Sequence, residues 1–181
     1  MDNLLFNEKT IQKNIIKIEP TFKQKSASKK WIELLEKNEL QDEVANYPRF
    51  TTLILNELLG FDTLNFKHEE KNMEFPFKDK SGNFLVCFEA KGTKTKNLWD
   101  LQGRNIKIRE TPVNQINDYL YKNKIPYGVL TNYRDFVLFK REEGYNKYHK
   151  IDFLDIKNNP DKLKEFIFIP LWINTPMLCI G

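Results

Sequence analysis

The chain has 181 residues, 40% of them hydrophobic and 30% charged, and its formal net charge at pH 7 is +4. These values argue against a disordered or fibrous chain and favour one globular domain with a sizeable core. The chain has only two cysteines, Cys87 and Cys179, which do not form a disulfide framework, so we expect reduced thiols. Its two histidines are isolated and lack the spacing of zinc ligands. The first residues lack a basic and apolar leader, so we expect a cytoplasmic protein.

The first predicted elements are helices in a basic region over residues 1–47. Residues 9–30 contain seven lysines and one glutamate, which favours a solvated helical arm, with a second DNA contact as the alternative. Helices are also expected over 28–37 and 48–59, the second with an apolar stripe at core spacing. Glu57 falls inside that stripe, where an acid is unusual.

A β-hairpin follows, with strands over 73–77 and 84–92 and a polar turn between them. The second strand ends in Glu89, Ala90 and Lys91, and its period of two places Glu89 and Lys91 on one face and Ala90 on the other. Antiparallel pairing brings Glu89 opposite the start of the hairpin. Because buried charge is costly unless it is paired or binds a metal, this acid and amine indicate a functional site.

Two acids compete to be the carboxylate partner of Glu89. Glu74 lies at the open end of the hairpin, where side chains opposite or diagonal to Glu89 are within roughly 4.5–8 Å and can share one metal ion. Asp79 has a plausible spacing but sits in the turn, at the far end, so Glu74 is favoured. Carboxylates that hold Mg²⁺ beside a lysine that orients a water or stabilises a phosphorane form the chemistry of a phosphodiesterase.

The segment that follows this strand is basic. Residues 91–109 have six cations against one acid, a local charge of +5 that exceeds the net charge of the whole chain. Lysine and arginine side chains that neutralise phosphates are the main sequence-independent source of DNA affinity. We therefore expect contacts to the DNA backbone from the cations after Lys91, which are Lys94, Lys96, Arg104, Lys107 and Arg109.

A helix is expected over 111–120, with Thr111 as its N-cap and Pro112 at the first helical position. Gln115 and Tyr119 are four residues apart and flank the apolar stripe of this helix. Side chains at this spacing are neighbours on a helix surface, so both project together toward whatever lies beside the sheet.

The last predicted elements are two strands over 126–131 and 135–140, joined by a short turn. The final segment, 166–181, has no charge and is interrupted by two prolines. It is too short to span a bilayer, which needs about 20 apolar residues. Such a segment favours either a strand tucked against the core or a chain cut from a longer polypeptide.

The order of these motifs resembles the PD-(D/E)XK nuclease superfamily. Over about residues 48–141, an acid, a hairpin and Glu-Ala-Lys are followed by a Gln-x-x-x-Tyr helix, which is similar to RecB-like nucleases and to the amino-terminal nuclease domains of type I and type IIG restriction–modification polypeptides. The resemblance implies an α/β fold like that of restriction endonucleases, with a mixed central β-sheet flanked by helices. One departure is that the family usually has Asp preceded by Pro, whereas Met73 precedes Glu74 here.

The resemblance also implies which residues act on the substrate. Glu74, Glu89 and the backbone carbonyl of Ala90 would bind Mg²⁺, for which Mn²⁺ can substitute, and Lys91 would act on the attacking water. The two glutamates and Lys91 would therefore be catalytic. Because Lys91 lies at a strand end, its truncation to alanine is expected to abolish cleavage without opening a core cavity.

Further site residues follow from the same resemblance. Gln115 would join the catalytic residues, and Tyr119 would lie with the DNA-contacting residues beside it. Family members often place one more acid on a helix before the first strand, and either Glu43 or Glu57 could supply it.

We therefore expect one nuclease domain over residues 1–181, with its core at about 48–141, that cuts double-stranded DNA with Mg²⁺. Methyltransferase, target-recognition or translocase domains would lie on the same polypeptide or in the same complex, and no membrane contact is expected. The alternatives are a catalytically inactive nuclease-like module that binds nucleic acid or a protein, and a structure-specific repair nuclease. A metal-dependent cleavage assay separates these hypotheses.

Overall fold

The computed structural model describes residues 4–63, 70–71, 73–102 and 110–174. These residues form a five-stranded sheet in which the strands follow chain order. The sequence predicts the first four strands and misses the fifth. The strands are β1 (Phe75–Lys78), β2 (Phe84–Ala90), β3 (Tyr127–Thr131), β4 (Asp135–Lys140) and β5 (Tyr148–Asp152).

The sheet is mixed, because β2 and β3 are parallel whereas the other three neighbouring pairs are antiparallel. A parallel pair needs a long crossover connection, and α4 (Pro112–Lys122) lies within the one between β2 and β3. Thr111 caps this helix, since its hydroxyl accepts a 3.0 Å hydrogen bond from the backbone N–H of Asn114. The predicted α/β class with a mixed sheet and helices is confirmed.

Helices cover both faces of the sheet. One face packs against three helical elements and the other against α4. On the first face lie α2 (Phe22–Glu36), α5 (Pro160–Asn174) and α3, which is α-helical over Tyr47–Arg49 and continues as a π-helix over Phe50–Leu58. The short α1 (Glu8–Ile15) packs on α5.

Alternation along β2 decides which side of the sheet each residue faces. Val86, Phe88 and Ala90 belong to the large, aromatic-rich core beneath α2, α3 and α5. Cys87 belongs to the smaller core beneath α4. Because strand side chains alternate between faces, Glu89 points to the α4 side as well.

Of the two interpretations predicted for 166–181, the strand tucked against the core is wrong for the described part of the segment, and the cut from a longer polypeptide stays a prediction. Residues up to Asn174 belong to α5, and Leu163, Phe166, Ile169 and Ile173 all enter the large core. Their spacing of three or four residues is that of one helix face. Residues 175–181, including Cys179, lie outside the described residues.

The basic N-terminal region is helical, as expected, but it packs against the domain and is not a free arm, and the alternative of a second DNA contact stays a prediction. Ile11 and Ile15 of α1 and Ala27 and Trp31 of α2 are buried, while the lysines of these helices stay exposed. The helix expected over 28–37 begins earlier, at Phe22. Within the described ranges, no helix is both long and apolar enough to cross a membrane.

Candidate active site

The open end of the β1–β2 hairpin brings two acids together. Phe75 pairs with Phe88, so the next position in the antiparallel register places Glu74 opposite Glu89. Glu89 is 1% exposed and Lys91 is 9% exposed. The hairpin geometry expected from the sequence is therefore present, and the acid and the amine at its end are both buried.

Three carboxylates contact the ammonium group of Lys91. Its Nζ atom lies 2.7 Å from Oε1 of Glu89, 3.7 Å from Oε1 of Glu43 and 3.9 Å from Oε1 of Glu74. Since one oxygen of Glu74 and one of Glu89 both contact the same nitrogen, the distance between these two oxygens is less than roughly 8 Å, the separation of diagonal neighbours on two strands. The other Glu74 oxygen, Oε2, accepts a 2.8 Å hydrogen bond from the backbone N–H of Ala90.

Glu43 comes from a loop that lies directly against the end of β2. A Cβ atom at Gly92 would collide with the carbonyl oxygen of Gln41, so only glycine allows this approach. The Tyr133 hydroxyl then donates a 2.6 Å hydrogen bond to the carbonyl oxygen of Glu43. Of the two acids that the sequence leaves open, the structure places Glu43 beside Lys91 and Tyr47. The Glu57 side chain makes no hydrogen bond or ion pair with the described residues.

Burial dominates the protonation of the cluster. It raises the pKa of Glu74 from 4.5 to about 8, with a further increase from the charge of Glu89 and an opposing effect of Lys91. Burial also raises the pKa of Glu89, although Lys91 opposes this increase. For Lys91, burial disfavours the ammonium, but the charges of the surrounding glutamates outweigh it and raise the pKa. At neutral pH the ammonium therefore persists, while Glu74 is largely protonated.

Replacing Glu74 with glutamine should make the stability of the metal-free protein less dependent on pH. A carboxyl with a pKa of about 8 in the folded state and 4.5 otherwise keeps its proton longer when folded. Its contribution to stability is complete below pH 4.5 and is lost as the pH rises through 8, by an amount on the order of 5 kcal/mol. Urea unfolding from pH 5 to 9, with EDTA present, measures this slope.

The control for that experiment is Glu33→Gln on the exposed surface of α2, which removes a carboxyl remote from the cluster. It should keep the wild-type slope. A Glu74→Gln curve that runs parallel to the wild-type curve over this pH range would mean that Glu74 titrates as an ordinary exposed carboxyl.

Gln115 and Tyr119 project from α4 on the same side of the sheet as Glu89. The helix lies close to β3 because Gly128 has no side chain, and a Cβ there would sit 3.0 Å from Ile116 and Leu120 atoms. Gln115 Nε2 donates a 2.9 Å hydrogen bond to the Tyr119 hydroxyl. Burial raises the pKa of Tyr119, and the charges of the cluster also act on it, so α4 forms a wall near the carboxylates.

The predicted basic contacts are only partly described. Lys94 and Lys96 are exposed, a few residues beyond Lys91. Arg104, Lys107 and Arg109 lie outside the described residues.

The surroundings of Asp79 and Cys87 do not fit a role in the proposed chemistry. The Asp79 carboxylate accepts backbone hydrogen bonds from Ser81 and Asn83 within the hairpin turn, at the end away from Glu89. Cys87 is fully buried, and burial raises the pKa of its thiol, which leaves it unsuited to act as a nucleophile.

Two tyrosines of the site are missed by sequence reasoning. The Tyr47 hydroxyl donates a 3.2 Å hydrogen bond to Oε1 of Glu43. Tyr133 holds the backbone of Glu43, and its own carbonyl accepts a 2.8 Å hydrogen bond from the Trp31 indole. The Glu43-x-x-x-Tyr47 spacing is a local signal for the first contact, whereas the contacts of Tyr133 join distant parts of the chain.

The fit of a divalent cation depends on the state of the carboxylates. Within the described ranges, no three His, Cys, Asp or Glu side chains are arranged to hold an ion as they stand. The carboxylates face the Lys91 ammonium. However, Oε2 of Glu89 is buried and accepts no hydrogen bond from an N–H or hydroxyl group of the described residues, although the Glu74 carboxyl also hydrogen-bonds the Glu89 side chain. A buried carboxylate oxygen without such a donor, beside two further carboxyl groups, is a donor set that suits Mg²⁺ or Mn²⁺.

No family model matches the sequence, and no match was found among curated proteins or among solved structures. Functional inference therefore depends on the chemistry of the cluster.

A separate cavity of about 350 Å³ lies between α1, β5 and α5. The buried pair His149 and Glu165 lines it, with Nε2 and Oε1 2.7 Å apart. The other Glu165 oxygen contacts Lys162 at 2.9 Å. Both oxygens of this buried acid are thus paired, unlike those of Glu89.

Proposed function

We propose that this chain is a Mg²⁺-dependent DNA endonuclease with a restriction-endonuclease-like α/β fold, and that it is the nuclease module of a restriction–modification enzyme. The observation that supports this most directly is the set of three glutamates around the ammonium of Lys91 at the end of a buried strand. Such a cluster has a cost in stability, since charged groups removed from water are expensive. A role in catalysis would account for it.

The cation would be held by oxygen atoms alone. Glu74, Glu89 and the carbonyl of Ala90 are the proposed ligands, and Glu43 is close enough to join them after its side chain turns away from Lys91. A bound Mg²⁺ would supply Lewis-acid polarisation of the phosphodiester. The unsatisfied Oε2 atom of Glu89 is the first oxygen available to it.

Lys91 would then act on the reacting groups. Its ammonium, released from part of its carboxylate contacts, can donate a hydrogen bond to the attacking water and can stabilise negative charge on the phosphorane. Its backbone is held in place because its N–H donates a 2.7 Å hydrogen bond to the carbonyl of Thr131. Gln115 is half-buried on α4 and would orient the water or the phosphate, with Tyr119 against the DNA backbone.

The DNA-binding contribution of the domain is proposed to be electrostatic. Lys94 and Lys96 are exposed beyond the strand end, and they would contact phosphates together with the remaining cations of residues 91–109. Phosphate contacts position a protein on DNA but carry no sequence information. Recognition of a particular site would therefore come from methyltransferase, target-recognition or translocase domains on the same polypeptide or complex.

The decisive experiment is cleavage of supercoiled plasmid DNA by the purified chain with Mg²⁺, with Mn²⁺, and with EDTA. The proposal expects slow nicking with either metal and none with EDTA. DNA binding without cleavage under every condition would instead support the inactive binding module. Cleavage confined to branched or flapped DNA would support a structure-specific repair nuclease.

The salt dependence of binding tests the electrostatic interface. We expect weak, sequence-independent affinity for duplex DNA that falls steeply with salt, because bound counterions are released. The double substitution Lys94→Gln and Lys96→Gln should reduce the slope of log K against log salt by roughly 2, about one for each lost phosphate contact. Lys124→Gln, in the turn that follows α4, is the single-charge control and should leave the slope unchanged. Tight, salt-insensitive binding to one sequence would contradict this interface.

A further inference from the structure

Tyr47 links two of the three glutamates that surround Lys91. Its hydroxyl donates to Oε1 of Glu43 at 3.2 Å and also hydrogen-bonds the carboxyl of Glu74. Burial raises the pKa of the phenol, and the charge and hydrogen bond of Glu74 raise it further, so Tyr47 stays a neutral hydrogen-bond donor. It is thus a neutral side chain in direct contact with two acids of the cluster.

The ring of Tyr47 is held independently of this hydroxyl. It packs edge-on against Phe75, with ring centroids 5.0 Å apart, and Phe75 directly follows Glu74 at the start of β1. Tyr47 itself is the first residue of α3. The ring therefore ties the start of α3 to the start of β1, and the hydroxyl is carried to a fixed point between the two carboxylates.

Neither Glu43 nor Glu74 lies within a regular strand or helix. Glu43 precedes the helical segment that leads into α3, and Glu74 precedes β1, whereas Glu89 lies within β2. Side chains outside regular elements need additional contacts to keep one orientation. One hydrogen bond with a backbone group helps to place each glutamate. The Ala90 N–H donates to the Glu74 carboxyl, and the Tyr133 hydroxyl donates to the Glu43 carbonyl. On the Glu43 carboxylate itself, only Tyr47 donates a neutral hydrogen bond among the described residues.

We propose that Tyr47 is a positioning residue that holds the carboxylates of Glu43 and Glu74 in the orientation from which they bind a divalent cation. This inference rests on the proposed function, because it assumes that the cluster binds a metal. Groups that hydrogen-bond metal-ligating carboxylates fix their orientation, and their removal typically lowers metal affinity by roughly 10–100-fold. Tyr47 would act through the two glutamates, without touching the substrate.

The test is Tyr47→Phe, which keeps the ring packed against Phe75 and removes only the hydroxyl. Mn²⁺ binding is measured without DNA, by electron paramagnetic resonance of the free ion and by calorimetry. The expected result is an affinity lower by about 10-fold or more, with an unchanged thermal midpoint in EDTA. In plasmid nicking, the variant should need more Mn²⁺ for half-maximal rate, and excess Mn²⁺ should restore most of the maximal rate.

Tyr121→Phe is the matched control. Its hydroxyl also donates a hydrogen bond, at 3.1 Å to the carbonyl of Arg141, but the residue is exposed and contacts none of the glutamates. It should leave Mn²⁺ affinity unchanged.

The outcomes separate the two proposals. Wild-type affinity for Mn²⁺ in Tyr47→Phe would overturn the positioning role and leave the nuclease proposal intact. A wild-type protein that binds no Mn²⁺ would overturn both. If Tyr47→Phe and Tyr121→Phe lose Mn²⁺ affinity equally, or if Tyr47→Phe has a lowered thermal midpoint, the loss is a general effect of removing a hydroxyl. Either result would also overturn the positioning role.

Discussion

Replacing Lys91 with alanine should abolish DNA cleavage while metal binding becomes at least as tight as in the wild type. The ammonium contacts three carboxylates, so its removal leaves them without a counter-charge and makes the cluster more attractive to a cation. Removing one partner of a buried ion pair also costs about 3–5 kcal/mol, because the remaining charge is uncompensated. The metal-free variant should therefore be markedly less stable than the wild type at pH 8.

The sequence predicted a smaller structural effect of this substitution. Because Lys91 lies at a strand end, its truncation is expected to open no core cavity and to leave folding largely intact. Lys91 is instead 9% exposed and packed among the glutamates, so its truncation affects stability as well as catalysis. The expectation that folding would be unaffected is therefore replaced by a stability loss that depends on pH and on metal.

The pH dependence and the metal dependence identify the cause of this loss. Without Lys91 the carboxyls of Glu74 and Glu89 can lower their cost by binding protons, so the destabilisation should shrink as the pH falls toward 5. Added Mn²⁺ should stabilise the variant more than the wild type, because ligand binding to the folded state raises its stability.

Urea unfolding at pH 5 and pH 8, with EDTA and with Mn²⁺, measures all four values. The control is Lys94→Ala, which removes an exposed lysine from the same loop. Cleavage by Lys91→Ala at a rate near that of the wild type would refute the role assigned to this strand.

Local sequence patterns predicted the part of the site that lies on one hairpin and one helix. Alternation along β2 determines that Glu89 and Lys91 share a face. The turn brings Glu89 opposite the start of the hairpin, and a register shift between Phe77 and Lys78 makes Glu74 the residue that lies opposite it. The spacing of Gln115 and Tyr119 likewise places both side chains together on α4. These relations follow from residues close in sequence, where the geometry of a strand or a helix is sufficient.

The choice between Glu43 and Glu57 could not be made from local patterns. Glu43 reaches Lys91 because its loop packs on Gly92 and because Tyr133, ninety residues later, binds its carbonyl. Neither contact leaves a periodic signal in the sequence. Glu57 lies on a helix with an apolar stripe, where an acid is unusual, but its side chain is half-buried and has no hydrogen bond or ion pair with a residue of the cluster.

The error at the C-terminal segment has a different cause. A proline inside a helix usually breaks or kinks it, and the two interpretations predicted for 166–181 are a strand tucked against the core and a chain cut from a longer polypeptide. Pro170 instead lies inside α5, and the two residues before it are buried on different sides, Phe168 against α1 and Ile169 in the large core. A helix that is buried on several faces loses the one-sided stripe on which recognition of a helix depends.

Replacing Glu89 with glutamine should have opposite effects on function and on stability. Glu89 is 1% exposed, and its Oε2 atom accepts no hydrogen bond from an N–H or hydroxyl group of the described residues. Burial raises the pKa of this carboxyl, so keeping it ionised has a cost that grows as the pH rises. Glutamine has nearly the same shape without the charge, and its oxygen can still accept the hydrogen bond from Lys91 that Oε1 accepts at 2.7 Å.

The metal-free Glu89→Gln protein should therefore be about as stable as the wild type at pH 5 and no less stable at pH 8, because the Lys91 ammonium still has the carboxyls of Glu43 and Glu74 at 3.7 and 3.9 Å. Mn²⁺ affinity should fall by more than roughly 100-fold, because a proposed ligand loses its charge and a neutral amide is a poor partner for a hard cation. Cleavage should be lost together with Mn²⁺ binding.

Unfolding in EDTA, Mn²⁺ calorimetry and plasmid nicking measure stability, metal affinity and cleavage, with the exposed Glu33→Gln as control. If Glu89→Gln binds Mn²⁺ as tightly as the wild type, Glu89 is not a metal ligand. A large loss of stability at pH 8 would mean that the carboxylate is retained for the fold and not for catalysis.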